Sequence, residues 1–220
     1  MAKEPVAVKL TKHEHACVVF ENEGASFVID PGSFSADVAG IINGAEAILI
    51  THEHFDHVNE AAVNEALAAR PALRVYAPAG LAGMFGAHPG RFSAVSAGDE
   101  LSVAGLAVTV HGDTHAAIHP DIPVVPNVGY LVDGTVYHPG DAYFVPEAPV
   151  ETLLLPTSGP WMKFGEAADY VRAVRPQRLV QIHEMLLSEI GLHLADVILG
   201  EQGLTGIPLT TVPVGDSLAV

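Results

Sequence analysis

Residues 45–57 read AEAILITHEHFDH. The first six are a short apolar run rich in isoleucine, which predicts a buried strand. It leads straight into THEHFDH at 51–57, placing His52, His54, Asp56 and His57 at the strand's C-terminal end. On a tight loop this spacing lets imidazoles and a carboxylate converge on closely spaced cations, and such borderline nitrogen and oxygen donors suit zinc or manganese. The 12 histidines outnumber the 10 lysines and arginines together, and histidine is the commonest metal ligand.

C-terminal to the loop, VNEAAVNEALAAR at 58–70 places Val, Ala and Leu on one side at helical spacing and Asn, Glu and Arg on the other, an amphipathic helix that Pro71 ends. On the N-terminal side, VAVKL at 6–10, ACVVF at 16–20 and SFVID at 26–30 read as strands, with ENEGA as a hairpin turn and Asp30-Pro31-Gly32 as the stop. Further along, LRVYA at 73–77, ELSVAG at 100–105 and LAVTVHG at 106–112 resume the strand pattern. VGYLV, Asp133-Gly134 and TVYH form a hairpin, because Asp-Gly suits the positive φ angles of a type I′ turn. VETLLLP at 150–156 and RLVQI at 178–182 are buried strands, and FGEAADYVRAV at 164–174 is a helix. The proline-rich HPDIPVVPN at 119–127 is expected to be an ordered excursion that walls a pocket.

The length of 220 residues suits one domain over residues 1–220. With 49% hydrophobic residues the chain can fill a core, so disorder of its bulk is excluded. The formal charge of −16 and the lack of a basic stripe argue against holding nucleic acid. Cys17 is the only cysteine, which excludes an internal disulfide and a thiolate-rich zinc site, and implies a reducing compartment. No apolar leader and no stretch of membrane-spanning length is present, so a cytoplasmic protein with no membrane partner is expected.

The order of these motifs resembles the metallo-β-lactamase superfamily. The matching residues are His52, His54, Asp56 and His57, then His115, Asp141 in HPGDAYF and His183 in LVQIHE. KLTKHEHACVVF followed by FVIDPG, the Gly-Asp after the hairpin and the short length are similar to the small branch of UlaG-like lactonases and related metal-dependent hydrolases. The resemblance implies an α/β (α+β) fold, a four-layer αββα sandwich with a metal site at one edge. It also implies two divalent metal ions, zinc or alternatively manganese or iron. By the family's pattern His52, His54 and His115 hold one ion, Asp56, His57 and His183 the other, and Asp141 bridges them. Asp56 or Asp141 would steer the attacking hydroxide or pass its proton to the leaving group.

Several positions leave alternatives open. HGDTHAAIHP offers His111, His115 and His119 for one ligand position, with His115 preferred and His119 next. His15 either lines the site or is an ordinary strand histidine. Asp30 either makes a turn or orients a metal-binding histidine from behind. His138 is expected to be packed rather than ligating, and His13, His88 and His193 to face solvent. In PTSGPWMKFG, Ser158, Trp161 and Lys163 either bind substrate or pack, Lys163 being the cation an anionic substrate would need.

The expected function is hydrolysis by metal-activated water of a small ester, lactone or phosphoester, with a small-molecule substrate as partner and homo-oligomerisation left open. The alternatives are a phosphodiesterase or nuclease of the same superfamily and a non-catalytic metal-binding module on this fold.

Overall fold

The computed structural model describes residues 8–220. Val6 and Ala7 of the first expected strand lie outside the described residues. In chain order the elements begin with β1 (Lys9–Lys12), β2 (Val18–Asn22), β3 (Ala25–Ile29), α1 (Val38–Asn43), β4 (Ala47–Leu49), α2 (Glu60–Ala69) and β5 (Arg74–Ala77). A 3-10 turn (Ala79–Phe85) leads to β6 (Phe92–Ala94), β7 (Glu100–Val103), β8 (Leu106–His111), β9 (Gly129–Val132) and β10 (Val136–His138). The chain closes with β11 (Thr152–Pro156), α3 (Phe164–Val174), β12 (Arg178–Ile182), α4 (Glu189–Leu199), β13 (Leu209–Thr210) and β14 (Ser217–Ala219).

Among the described residues the strands form two sheets, ordered β14-β1-β2-β3-β4-β5-β6 and β13-β12-β11-β10-β9-β8-β7. Strand periodicity explains how they stack, since successive side chains point to opposite faces. Phe27, Ile29, Ala47 and Leu49 face the second sheet and share a buried cluster with its Val108, Tyr130, Val132, Leu154 and Val180. Their neighbours Val28 and Ile48 point the other way, onto Val38 and Ile42 of α1 and Val63 and Leu67 of α2. On the far side Leu131, Leu153 and Leu155 meet Ala167 and Val171 of α3 and Ala195 and Leu199 of α4. The layers therefore run helix, sheet, sheet, helix, as expected.

Strand direction decides where the site forms. In the first sheet β1 is antiparallel to β2, β2 to β3, and β3 is parallel to β4, so the C-terminal ends of β1, β3 and β4 share one edge. In the second sheet the same logic gathers the ends of β8, β10, β11 and β12. The Asp133-Gly134 turn has φ of 50° and 66°, and Thr135 N donates to Val132 O at 3.0 Å, the type I′ hairpin expected.

Candidate metal centre

The seven matching residues and Asp30 occupy these gathered loops. Asp30 follows β3, and His52, His54, Asp56 and His57 follow β4. His115 follows β8, Asp141 follows β10, and His183 follows β12. His15, in the turn between β1 and β2, joins them. The side chains fall into three groups whose donor atoms lie within 4.8 Å of one another: His52, His54 and His115; His52, His57 and Asp141; and His15, Asp56, His57 and His183. His115 is buried beside His52 and His54, whereas His119 is exposed and 3.7 Å from Asp121. His111 stays outside and bonds Thr109 Oγ1 at 2.9 Å.

His57 and His115 are held facing the centre by partners behind their rings, whereas Nδ1 of His15 and of His183 has none. Asp30 is wholly buried and accepts from Thr51 N at 2.8 Å, Thr51 Oγ1 at 2.7 Å and His57 Nδ1 at 2.7 Å. It thus makes a turn and also orients a histidine, both readings of the sequence at once. With Nδ1 of His57 donating to Asp30, its Nε2 carries the free lone pair. His115 is fixed the same way, Nδ1 donating to Ala116 O at 2.6 Å. His138 is packed as expected: Nε2 donates to Ala16 O at 2.9 Å and Nδ1 accepts from Gly140 N at 3.2 Å, so neither nitrogen is free.

Among the inward atoms, His52 Nε2 and His54 Nδ1 pair at 3.0 Å and His15 Nε2 and Asp56 Oδ2 at 3.2 Å, but others lack hydrogen-bond partners. His57 Nε2, His115 Nε2, His183 Nε2 and Asp141 Oδ1 are buried and unpaired. Yet His57 Nε2 is 3.1 Å from Asp141 Oδ1, and His183 Nε2 is 3.1 Å from Asp141 Oδ2. Close approach without hydrogen-bond alignment is costly for buried polar atoms, and it is the arrangement that cations between the donors would satisfy. Six imidazoles crowd the same space, with ring centroids 3.7 Å apart for His15 and His183 and 4.1 Å for His52 and His57. The donor set of imidazole nitrogens and carboxylate oxygens therefore fits borderline divalent ions.

The metal-free electrostatics divide the imidazoles. Burial, with His57 beside it, holds His52 well below the ordinary value, and burial lowers His54 as well. Burial takes His15 down to about 4 against the pull of Asp56. Burial opposes charge on His57 and His183 too, but Asp141 at both and Asp30 at His57 overcome it and hold them above the ordinary value. Burial would likewise raise Asp56 and Asp141. His15 and His183 at Asp56, and His57 and His183 at Asp141, keep both below the usual carboxylate range.

Backbone strain concentrates here. His15, Asp30 and His183 have φ of 59°, 52° and 57°, a left-handed conformation that costs a non-glycine residue of order 1–3 kcal/mol. His183 N donates to His15 O at 3.0 Å, which ties two of these residues together.

Several supporting residues escape sequence reasoning. Trp161 Nε1 donates to Asp141 Oδ2 at 2.7 Å, a role beyond the substrate contact or packing expected of it. Asn127 Oδ1 accepts from Asp141 N at 3.0 Å and its Nδ2 donates to Pro139 O at 2.9 Å, fixing the Gly-Asp turn. Lys12 is buried and donates to Glu184 Oε1 at 2.9 Å, anchoring the segment after His183. His15, in Glu14-His15-Ala16, and Trp161, in PTSGPWMKFG, stand out in the sequence, whereas Asn127 and Lys12 do not.

Other expectations need correction. Lys163 does not reach the site: it sits just before α3 without bonding a helix amide, is exposed and pairs with Glu166 at 2.8 Å. Ser158 Oγ is turned onto His183 O and is buried. His193 is exposed as expected, but His13 and His88 are half-buried. The centre opens into a cavity of about 480 Å³ that Ile118 helps to line. Residues 122–125 of the proline-rich loop instead wall a smaller hollow behind His54 and His115.

Comparison with known proteins follows the same direction. Residues 9–183 match the model of a family described as the β-lactamase superfamily domain. Protein Rv0786c of Mycobacterium tuberculosis is 43% identical over 186 residues, covering 82% of this chain and 86% of that protein. A UPF0173 metal-dependent hydrolase of Myxococcus xanthus is 29% identical over 209 residues, 82% of this chain and 74% of that one. Among solved structures the fold is similar to Igni18, a metallo hydrolase from Ignicoccus hospitalis, with a TM-score of 0.72 over 98% of this chain and 99% of that chain at 19% identity. Among the described residues no helix is long and apolar enough to cross a membrane.

Proposed function

The chain belongs to the metallo-β-lactamase superfamily, and from that membership we propose that it is a dinuclear metal-dependent hydrolase of a small ester, lactone or phosphoester. The observation that carries this reading is the set of buried, unpaired atoms His57 Nε2, His115 Nε2, His183 Nε2 and Asp141 Oδ1 converging on one centre. His52, His54 and His115 would hold one ion, and Asp56, His57 and His183 a second, with Asp141 between the two. His15 Nε2, 3.2 Å from Asp56 Oδ2, adds a donor on the second side. When bound, such ions supply a Lewis acid and a water whose pKa falls from about 15.7 towards 7.

The chain's own residues do the rest. Asp30 and the Ala116 carbonyl hold His57 and His115 in the tautomer that leaves Nε2 free. Trp161 occupies Oδ2 of Asp141, which orients its Oδ1 into the centre. Asp56 and Asp141 both line the cavity, and either would accept a proton and return it to a leaving group, Asp56 being held by His15 at 3.2 Å. Phe34, Phe55 and Leu186 line the approach with apolar surface. No serine or cysteine nucleophile is required.

The reading is tested with Asp56→Ala and His57→Ala. Each is expected to keep the far-ultraviolet circular dichroism of the parent and to lose about 10²-fold or more of its turnover on a panel of lactones, esters and phosphodiesters. Turnover retained in both variants contradicts the dinuclear mechanism.

A further inference from the structure

The cavity above the centre differs sharply from its floor. The floor is the cluster of histidines and carboxylates. The walls are Phe34, Phe55, Ile118, Pro160, Trp161 and Leu186. Among the described residues that line it there is no lysine or arginine, and the one further charged side chain is the carboxylate of Glu53. The two lysines nearest in sequence to the site's residues are committed elsewhere. Lys163 points to solvent and pairs with Glu166, while Lys12 is buried and pairs with Glu184.

The aromatic walls offer nothing polar either. The indole N–H of Trp161, the wall's obvious donor, is spent on Asp141 Oδ2 at 2.7 Å, so its ring presents only apolar surface to a ligand. Phe34 and Phe55 pack edge to face at 5.5 Å. Phe55 and Leu186 are 65% and 56% exposed, unusually open for large apolar side chains flanking a buried cluster. Covering such surface is favourable by roughly 25 cal/mol per Å², whereas a second anionic group would be stripped of water with no cation to receive it. An anion at the reacting bond is answered by metal ions; one at the far end of the substrate is answered by nothing on these walls.

Resting on the hydrolase reading above, we infer that the substrate carries an uncharged, apolar group beyond the scissile bond and no second phosphate or carboxylate. The walls select that tail and the floor selects the bond. Substrates with a phosphate remote from the reacting carbonyl are excluded.

Trp161 is the chain's single tryptophan and lines this cavity, so its fluorescence reports ligand entry without turnover. Zinc-loaded protein is titrated with hexanamide and, separately, with the monoamide of adipic acid, which has the same head and length but ends in a carboxylate. In parallel, turnover of p-nitrophenyl hexanoate is compared with that of the p-nitrophenyl monoester of adipic acid. Hexanamide is expected to shift Trp161 emission at a concentration at least tenfold lower than the monoamide, and the hexanoate to show a kcat/KM at least tenfold higher. Leu186→Ser is expected to weaken the hexanamide response several-fold at unchanged metal content. An equal or stronger response to the carboxylate-ended ligand, equal turnover of the two esters, or no response to either amide overturns the inference. Hexanamide binding with no turnover of either ester, nor of any lactone or phosphodiester of the panel above, overturns the hydrolase reading and leaves the cavity's preference standing.

Discussion

Asp30 carries more of the site than its position in a turn suggests. Its carboxylate takes hydrogen bonds from the backbone and hydroxyl of Thr51 and from His57, so a residue outside the metal-facing set decides which nitrogen of His57 faces inward. A metal accepts only the neutral imidazole lone pair. In the metal-free protein Asp141, with Asp30 for His57, outweighs burial and holds His57 and His183 above the ordinary 6.5. The sign follows: below those raised values both rings carry a proton that a metal must displace, and above them they do not. Zinc affinity is therefore expected to fall as the pH is lowered through those raised values, read by competition with a chelator corrected for its own protonation. Affinity that is unchanged or rises as the pH falls contradicts the assignment.

At the scale of elements, the loop holding His52 to His57 is braced by the turn that follows β3. Ser33 N donates to Phe55 O at 2.8 Å and Asn59 N to Pro31 O at 2.9 Å. A Cβ on Gly32 would lie 1.7 Å from the backbone oxygen of Asp56, so only glycine lets the turn approach. Gly32→Ala must push the loop away, at a cost of about 1–3 kcal/mol from overpacking. A lower melting temperature and weaker zinc retention against a chelator are expected; unchanged values of both would show that the brace does not position the ligands. Elements whose pattern is local were legible in sequence. α3 and β12 have the bounds their periodicity predicts, and the His52 to His57 loop announces itself by spacing. α4 was missed because Ile190, Leu194 and Val197 on it are exposed, which blurs its amphipathic pattern. α1 is six residues long with Gly40 inside it, too short to signal. β6, β13 and β14 are two or three residues each and exist through pairing with distant strands. His115, Asp141 and His183 could be assigned only through family resemblance. The contacts of Trp161 and Asn127 with Asp141, and of Lys12 with Glu184, depend on tertiary approach that no local spacing encodes.

Across the whole molecule, two sheets stacked face to face with helices outside gather loop ends from both halves of the chain at one edge. That architecture is why candidate donors separated by up to 168 positions, from His15 to His183, meet at one centre. It also sets the energetics: a cluster of buried, unpaired donors is unfavourable alone and becomes a source of stability once ions bind the folded state only. The chain as a whole, with a formal charge of −16, favours cations and repels polyanions. The most direct test of this account is the metal content per chain of tag-free protein, measured by plasma mass spectrometry on the parent and on His115→Ala. Two ions per chain in the parent and fewer in the variant are predicted. A ratio near zero that added zinc, manganese or iron does not restore, or an undiminished ratio in the variant, contradicts it.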